Sequence, residues 1–129
     1  MTPELTYLVW SAALTLVLAV IAASGATLEV GLQRQAGNRE NMSEMGSWAG
    51  RAARAHRNML ENLVLFAILV FAARFANASN AMTLLGAQLF FFGRVAHAII
   101  YIVGIPWLRT AVWLVSVIGL LLIFWQLVV

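Results

Sequence analysis

The sequence has no cysteine, no lysine and no aspartate, and only two of its 129 residues are proline. Without cysteine the chain has no disulfide, no thiolate ligand for a metal and no thiol nucleophile of its own. Any thiol chemistry must therefore come from a ligand. No cluster of histidine and glutamate has the spacing of a metal site, and there is no evident Ser–His pair or glycine-rich phosphate loop. We predict no metal site.

Apolar residues dominate what is present. They make up 63% of the chain, charged residues make up 10%, and the mean hydropathy is +0.90. A soluble domain of this size would expose too much apolar surface, so the sequence indicates an integral membrane protein. A span needs about 20 mostly apolar residues, and the chain divides into four such stretches. We predict an all-α four-helix membrane bundle with up-down topology, as a single domain over residues 1–129.

The predicted spans cover residues 4–32, 48–75, 81–103 and 107–129. The polar segment 33–47 is the main loop, and Ser47 is the predicted N-cap of the second helix. Asn77-Ala78-Ser79-Asn80 has the composition of a tight turn, and Gly104-Ile105-Pro106 ends the third helix. The second and third helices should therefore form an antiparallel hairpin.

Arginine placement predicts the orientation. The first loop, the entry to the second helix and the third loop lead to six arginines, whereas the opposite side has only Arg74. The six are Arg34, Arg39, Arg51, Arg54, Arg57 and Arg109. Cytoplasmic loops carry the excess of basic residues, so both termini should lie on the non-cytoplasmic side. We expect a multi-pass protein of a bacterial inner membrane. The net charge of +3 follows this topology, and we expect no nucleic-acid partner.

Two polar stripes lie inside segments predicted to cross the membrane. They comprise Arg54, Arg57, Asn58 and Glu61 on the second helix, and Arg94, His97 and Tyr101 on the third. Both recur at i, i+3, i+4 or i+7, so each follows one helix face. An ionisable side chain at membrane depth costs about 2.5 to 3.5 kcal/mol on insertion scales and usually serves a function. The two stripes are therefore the candidate site residues.

The two stripes should lie at matching depths in the membrane, because the second helix begins on the side of the membrane where the third helix ends. At a rise of about 1.5 Å per residue, Glu61 lies roughly 10 Å deeper than Arg54, and Arg94 lies roughly 10 Å deeper than Tyr101. We therefore expect an Arg94–Glu61 ion pair, which either fixes helix register or serves the site. A space nearer the surface would be surrounded by Arg57, Asn58, His97, Tyr101 and, from the fourth helix, Arg109.

Other residues have a structural interpretation. Arg51 and Arg74 lie near helix ends and are expected to extend to lipid headgroups. Gly86 and Gly93 allow close helix contact and indicate packing.

A small site with arginines, one carboxylate, an amide and a phenol suits a ligand that carries carboxylates and an amino group. The guanidinium fork pairs with carboxylates, and Glu61 can accept an ammonium group. Membrane lipid flanks the same site, so an apolar second substrate can enter sideways.

Two segments resemble the signatures of a known family. The run Arg54-Ala-His-Arg-Asn-Met-Leu-Glu61 is similar to the second-helix motif of the membrane-associated proteins in eicosanoid and glutathione metabolism (MAPEG), which include the microsomal glutathione transferases. The run Gly93-Arg-Val-Ala-His97-Ala-Ile-Ile-Tyr101 resembles the third-helix segment of the same family. Length, four spans and loop sizes extend the resemblance over essentially the whole chain.

The resemblance implies a homotrimer that binds glutathione between neighbouring subunits near the cytoplasmic face. By motif, Arg54 and Arg57 would bind the carboxylates or support the site, and Asn58 and Glu61 would hold the polar backbone of glutathione. Arg109 would stabilise the thiolate, because a nearby guanidinium lowers the pKa of a thiol. The opposite wall would be formed by Arg94, His97 and Tyr101.

The leading hypothesis is a glutathione-dependent transferase or peroxidase that acts on lipophilic electrophiles, with Arg109 and Tyr101 as catalytic residues. A small multidrug exporter of similar size is an alternative, but that class uses a membrane-embedded glutamate in its first helix, and here the core of that helix has no charge before Glu29. A non-catalytic membrane scaffold with the same fold is the third possibility.

Overall fold

The computed structural model of the chain describes residues 1–31 and 48–129. In these residues it forms four helices, each long and apolar enough to cross a membrane: α1 (Pro3–Val30), α2 (Trp48–Phe75), α3 (Ala81–Val103) and α4 (Pro106–Val128). The predicted all-α, four-helix membrane bundle is confirmed. The predicted end of the first helix at Leu32, the polar segment 33–47 and the Ser47 cap lie outside the described residues.

The ends of α3 follow from local sequence signals. The Asn80 side chain accepts hydrogen bonds from the backbone N–H groups of Met82 and Thr83, both at 2.9 Å. The Thr83 hydroxyl accepts from the Asn80 N–H at 2.8 Å, which completes a capping box. At the other end, Gly104 has a φ of +98°, a left-handed conformation that favours glycine and ends the helix.

The third helix contacts each of the other three helices, and its contact with α4 is the most extensive. Phe90 of α3 stacks on Phe66 of α2 with ring centroids 4.1 Å apart. Gly86 faces α4 so closely that a Cβ atom there would lie 2.6 Å from the Gly119 carbonyl oxygen. Gly93 also faces α4, against Ser116. These contacts fix which face of α3 points toward α2 and which toward α4.

A buried carboxylate lies at the end of the bundle where α1 begins. Glu4 is 3% exposed, and its Oε1 accepts hydrogen bonds from the hydroxyls of Ser79 at 2.8 Å and Thr83 at 2.9 Å. The contact ties the first turn of α1 to the α2–α3 turn. The sequence does not predict it, because a glutamate in the first turn of a helix usually has the solvent and the helix dipole as its partners.

At the opposite end of the bundle, where α2 begins, the Arg51 side chain forms a hydrogen bond within the protein instead of extending to lipid headgroups. Its Nε donates to the Ile102 carbonyl oxygen at 2.9 Å, and the side chain lies against Gly104, where a Cβ atom would be 3.2 Å from Nε. A positive group at a helix C-terminus satisfies a free carbonyl and is favoured by the helix dipole. Arg51 therefore connects the start of α2 to the end of α3.

We expect Arg51→Met to lower the free energy of unfolding by about 1 to 2 kcal/mol, because the Ile102 carbonyl loses a charged donor. Thermal unfolding followed by circular dichroism in detergent measures the change. Arg74→Met is the matched control, since Arg74 is exposed at the opposite end of the bundle and its side chain has no hydrogen bond among the described residues. Equal losses in the two variants would contradict the role assigned to Arg51.

Candidate functional site

A cavity of about 230 Å³ opens between α2, α3 and α4, at the end of the bundle where α2 and α4 begin. We call it the site cavity. It is lined by Asn58, His97, Tyr101, Arg109, Thr110 and Trp113. The first four belong to the residues predicted from the sequence, and they come from three different helices. The fold thus brings together the inner part of both polar stripes and the arginine of α4.

Tyr101 lies at the centre of the site. Its ring meets the His97 ring edge-on, with centroids 5.4 Å apart and an angle of 69° between the planes. The Arg109 guanidinium lies over the same ring, with Cζ 4.5 Å from the centroid, which is within the range of a cation–π contact. Within residues 1–31 and 48–129, the Arg109 side chain makes no hydrogen bond. Its N–H groups are thus available to an anion while the ring holds the guanidinium in place.

A buried arginine supports the cavity from behind. Arg94 is 1% exposed, and its Nη2 donates to Asn58 Oδ1 at 2.7 Å. The Asn62 amide donates to the Asn58 backbone carbonyl at 2.8 Å and more weakly to Asn58 Oδ1 at 3.3 Å. Arg94 Nε and Nη1 and His97 Nδ1 are buried without a hydrogen-bond partner in the described part of the chain.

The expected Arg94–Glu61 ion pair is not formed. Glu61 is exposed, and among the described residues the single hydrogen bond of the Arg94 guanidinium goes to Asn58. Matching depth does not determine the partner, because residues three apart differ by about 60° around the axis of an α-helix. Asn58 therefore faces α3 while Glu61 faces outward.

The stripe on α2 is divided by the fold. Asn58 lines the site cavity, whereas Arg57 and Glu61 are exposed on the outer surface of the helix. Arg54 is half-buried and lies outside the cavity lining. Charged groups that face lipid at this depth are unfavourable, so the outer face of α2 is suited to a polar ligand or another protein surface.

Thr110 and Trp113 line the cavity but are not predicted from the sequence. Trp113 follows Arg109 by four positions and so shares its helix face, a signal that the sequence does contain. Thr110 is adjacent to Arg109, and its hydroxyl donates to the Pro106 carbonyl at 3.3 Å. Thr110 belongs to no periodic pattern in the sequence. A single hydroxyl near the start of a helix usually bonds its own backbone, so it does not indicate a site.

A second cavity, of about 300 Å³, lies along α3 and α4. Its lining is apolar except for one amide and consists of Gln88, Leu89, Phe92, Gly93, Ala96, Val112 and Val115. In the described ranges, no group of three histidine, aspartate or glutamate side chains could hold a metal ion.

Comparison with known proteins gives one match. The model of the MAPEG family matches residues 5–129, a range that includes α2, α3, α4, most of α1 and every residue of the site cavity. No curated protein and no solved structure gives a significant match.

Proposed function

Because the chain belongs to the MAPEG family, which includes glutathione transferases and related enzymes, we propose that it is a glutathione-dependent transferase or peroxidase acting on lipophilic electrophiles. The observation that carries this proposal is the Arg109 guanidinium, which lies over the Tyr101 ring at 4.5 Å and donates no hydrogen bond to the described residues. Since the chain has no cysteine, the thiol that this group would serve belongs to the ligand.

Arg109 would act by stabilising the glutathione thiolate. A free thiol is only a few per cent ionised at neutral pH, and a nearby positive charge lowers its pKa. In transfer, the thiolate sulfur forms a bond to the electrophilic carbon, and the leaving group departs with the bonding electron pair. In peroxidase chemistry, the sulfur attacks a hydroperoxide oxygen and gives an alcohol and a sulfenic acid, which a second glutathione converts to disulfide and water. The Tyr101 hydroxyl would donate a hydrogen bond to the sulfur.

The site cavity is below the usual range of about 300 to 1,000 Å³ for ligand pockets, so it suits only part of a tripeptide. The thiol would lie beside Arg109 and Tyr101. The remainder would extend along α2, where Arg54 and Arg57 would bind carboxylates and Glu61 the amino group. The cavity wall opposite α2 would be contributed by His97, with Arg94 buried behind the site.

A neighbouring copy would complete this site. Arg57 and Glu61 are exposed on the single chain in a region predicted to lie at membrane depth, where contact with lipid is unfavourable. A homotrimer, as the family resemblance implies, would cover this face and enclose glutathione between subunits. The arginine distribution favours the cytoplasmic side for the site.

Isothermal titration calorimetry with millimolar glutathione, on protein purified in detergent, tests the proposal. We expect saturable binding, together with turnover of 1-chloro-2,4-dinitrobenzene as a lipophilic probe. Glutathione disulfide serves as the control ligand for a site that requires a free thiol. Absence of glutathione binding would contradict the proposal, whereas binding without turnover of any lipophilic electrophile would favour a non-catalytic scaffold.

The two parts of Tyr101 have separable roles. Tyr101→Phe keeps the ring beneath Arg109 but removes the hydroxyl, so we expect kcat to fall about tenfold to a hundredfold with little change in KM for glutathione. Tyr101→Leu also removes the cation–π contact, so kcat should fall and KM for glutathione should rise. Steady-state kinetics of the two variants measures the difference, and wild-type kcat in Tyr101→Phe would show that the phenol does not take part.

A further inference from the structure

The Asn58 amide presents different groups to its two sides. Its Oδ1 accepts from Arg94 Nη2 at 2.7 Å and from Asn62 Nδ2 at 3.3 Å. Its Nδ2 donates no hydrogen bond within residues 1–31 and 48–129, although Asn58 lines the site cavity. The amide group is planar, so turning Oδ1 toward Arg94 turns Nδ2 away from it. The free face of the amide is therefore its donor face.

This orientation has a chemical cause. A guanidinium carries only donors, so a flipped Asn58 amide would direct N–H groups against the N–H groups of Arg94. Arg94 is 1% exposed, and Asn58 Oδ1 is the one acceptor that its guanidinium has in the described part of the chain. A flip would therefore leave a buried charge without any acceptor, which is strongly unfavourable.

We propose that Arg94 is a positioning residue, which holds the Asn58 amide so that Nδ2 donates to a carbonyl or carboxylate oxygen of the bound thiol ligand. The proposal rests on the proposed function and assigns the chemistry of one subsite within it. An amino group of the ligand would meet N–H hydrogens at Asn58, so it must bind elsewhere. Asn58 thus selects an acceptor, and Arg94 makes the selection without touching the ligand.

The Asn58→Asp variant tests whether Asn58 donates a hydrogen bond to the ligand, because loss of the donor should raise the dissociation constant for glutathione. Aspartate keeps an acceptor for Arg94, whose charge compensates the new carboxylate, but it has no N–H to offer the ligand. We expect a folded protein whose dissociation constant for glutathione, measured by calorimetry, is raised about tenfold to a hundredfold. Unchanged or tighter binding would overturn the proposal, because an amino group at this subsite would bind aspartate better than asparagine.

A double-mutant cycle tests the positioning role of Arg94. Arg94→Met should raise the dissociation constant about threefold to tenfold, because the Asn58 amide is then free to turn. In the Asn58→Ala background, the same exchange should have a smaller effect, since no amide remains to be positioned. Equal losses in both backgrounds would show that Arg94 does not act through Asn58.

Titration of the wild-type protein distinguishes failure of the proposed function from failure of the role assigned to Asn58. If wild-type protein does not bind glutathione, the proposed function fails and this inference fails with it. If wild-type protein binds but the Asn58→Asp variant binds equally well, the proposed function stands and only the role of the Asn58 amide is overturned. Thermal unfolding of each variant ensures that the titrated protein is folded.

Discussion

Arg109→Ala is expected to lower kcat for glutathione conjugation about a hundredfold to a thousandfold, with a much smaller change in KM for glutathione. The guanidinium is held over the Tyr101 ring at 4.5 Å, where its N–H groups can stabilise charge on sulfur. Loss of one such preorganised group typically costs this much in turnover. Steady-state kinetics with a lipophilic electrophile measures the effect, and the pH dependence of kcat should shift upward, because the bound thiol then ionises at higher pH.

Two variants control for this result. Arg109→Lys keeps a positive charge but loses the planar fork, so it should retain more activity than the alanine variant. Arg74→Ala removes an exposed arginine at the far end of the bundle and should leave kcat unchanged. Wild-type turnover in Arg109→Ala would refute the assignment of Arg109 to the thiolate.

Gly119→Ala is expected to have the largest effect on stability, a loss of about 3 kcal/mol. A Cβ atom at Gly119 would overlap the Gly86 carbonyl oxygen and lie 2.8 Å from the Phe90 backbone nitrogen. Both are backbone atoms of α3, so neither can move without separating the two helices. Overpacking of a tight contact typically costs about 1 to 3 kcal/mol, and rigid surroundings place this site at the upper end.

Thermal unfolding in detergent measures the Gly119→Ala effect. Ala111→Val is the control, because Ala111 is exposed on the same helix and its enlargement meets lipid instead of backbone. The Gly119→Ala variant should also lose turnover, since α4 carries Arg109 into the site cavity. Unfolding of Gly119→Ala at the wild-type temperature would contradict the close packing of α3 and α4.

The helices could be predicted from the sequence because their signals are local. Apolar length marks each span, Asn80 provides the cap of α3, and Gly104 and Pro106 mark the connection to α4. The depth of the site could also be predicted, since the helical rise places Asn58, His97 and Tyr101 at comparable levels. Four of the predicted residues do line one cavity.

The partners of the charged residues could not be predicted, because they depend on how each helix is rotated about its axis. That rotation is set by contacts such as Phe66 on Phe90 and Gly86 on Gly119, which join residues far apart in the sequence. A rotation of about 60° decides whether Arg94 meets Asn58 or Glu61. The bond from Arg51 to the Ile102 carbonyl likewise depends on tertiary placement.

A structure determined with glutathione present tests the central claim most directly. We expect density for glutathione in the site cavity, with its sulfur beside Arg109 and Tyr101 and an acceptor oxygen within hydrogen-bond distance of Asn58 Nδ2. An empty site cavity at saturating glutathione, or glutathione bound with its sulfur remote from Arg109, would contradict the account.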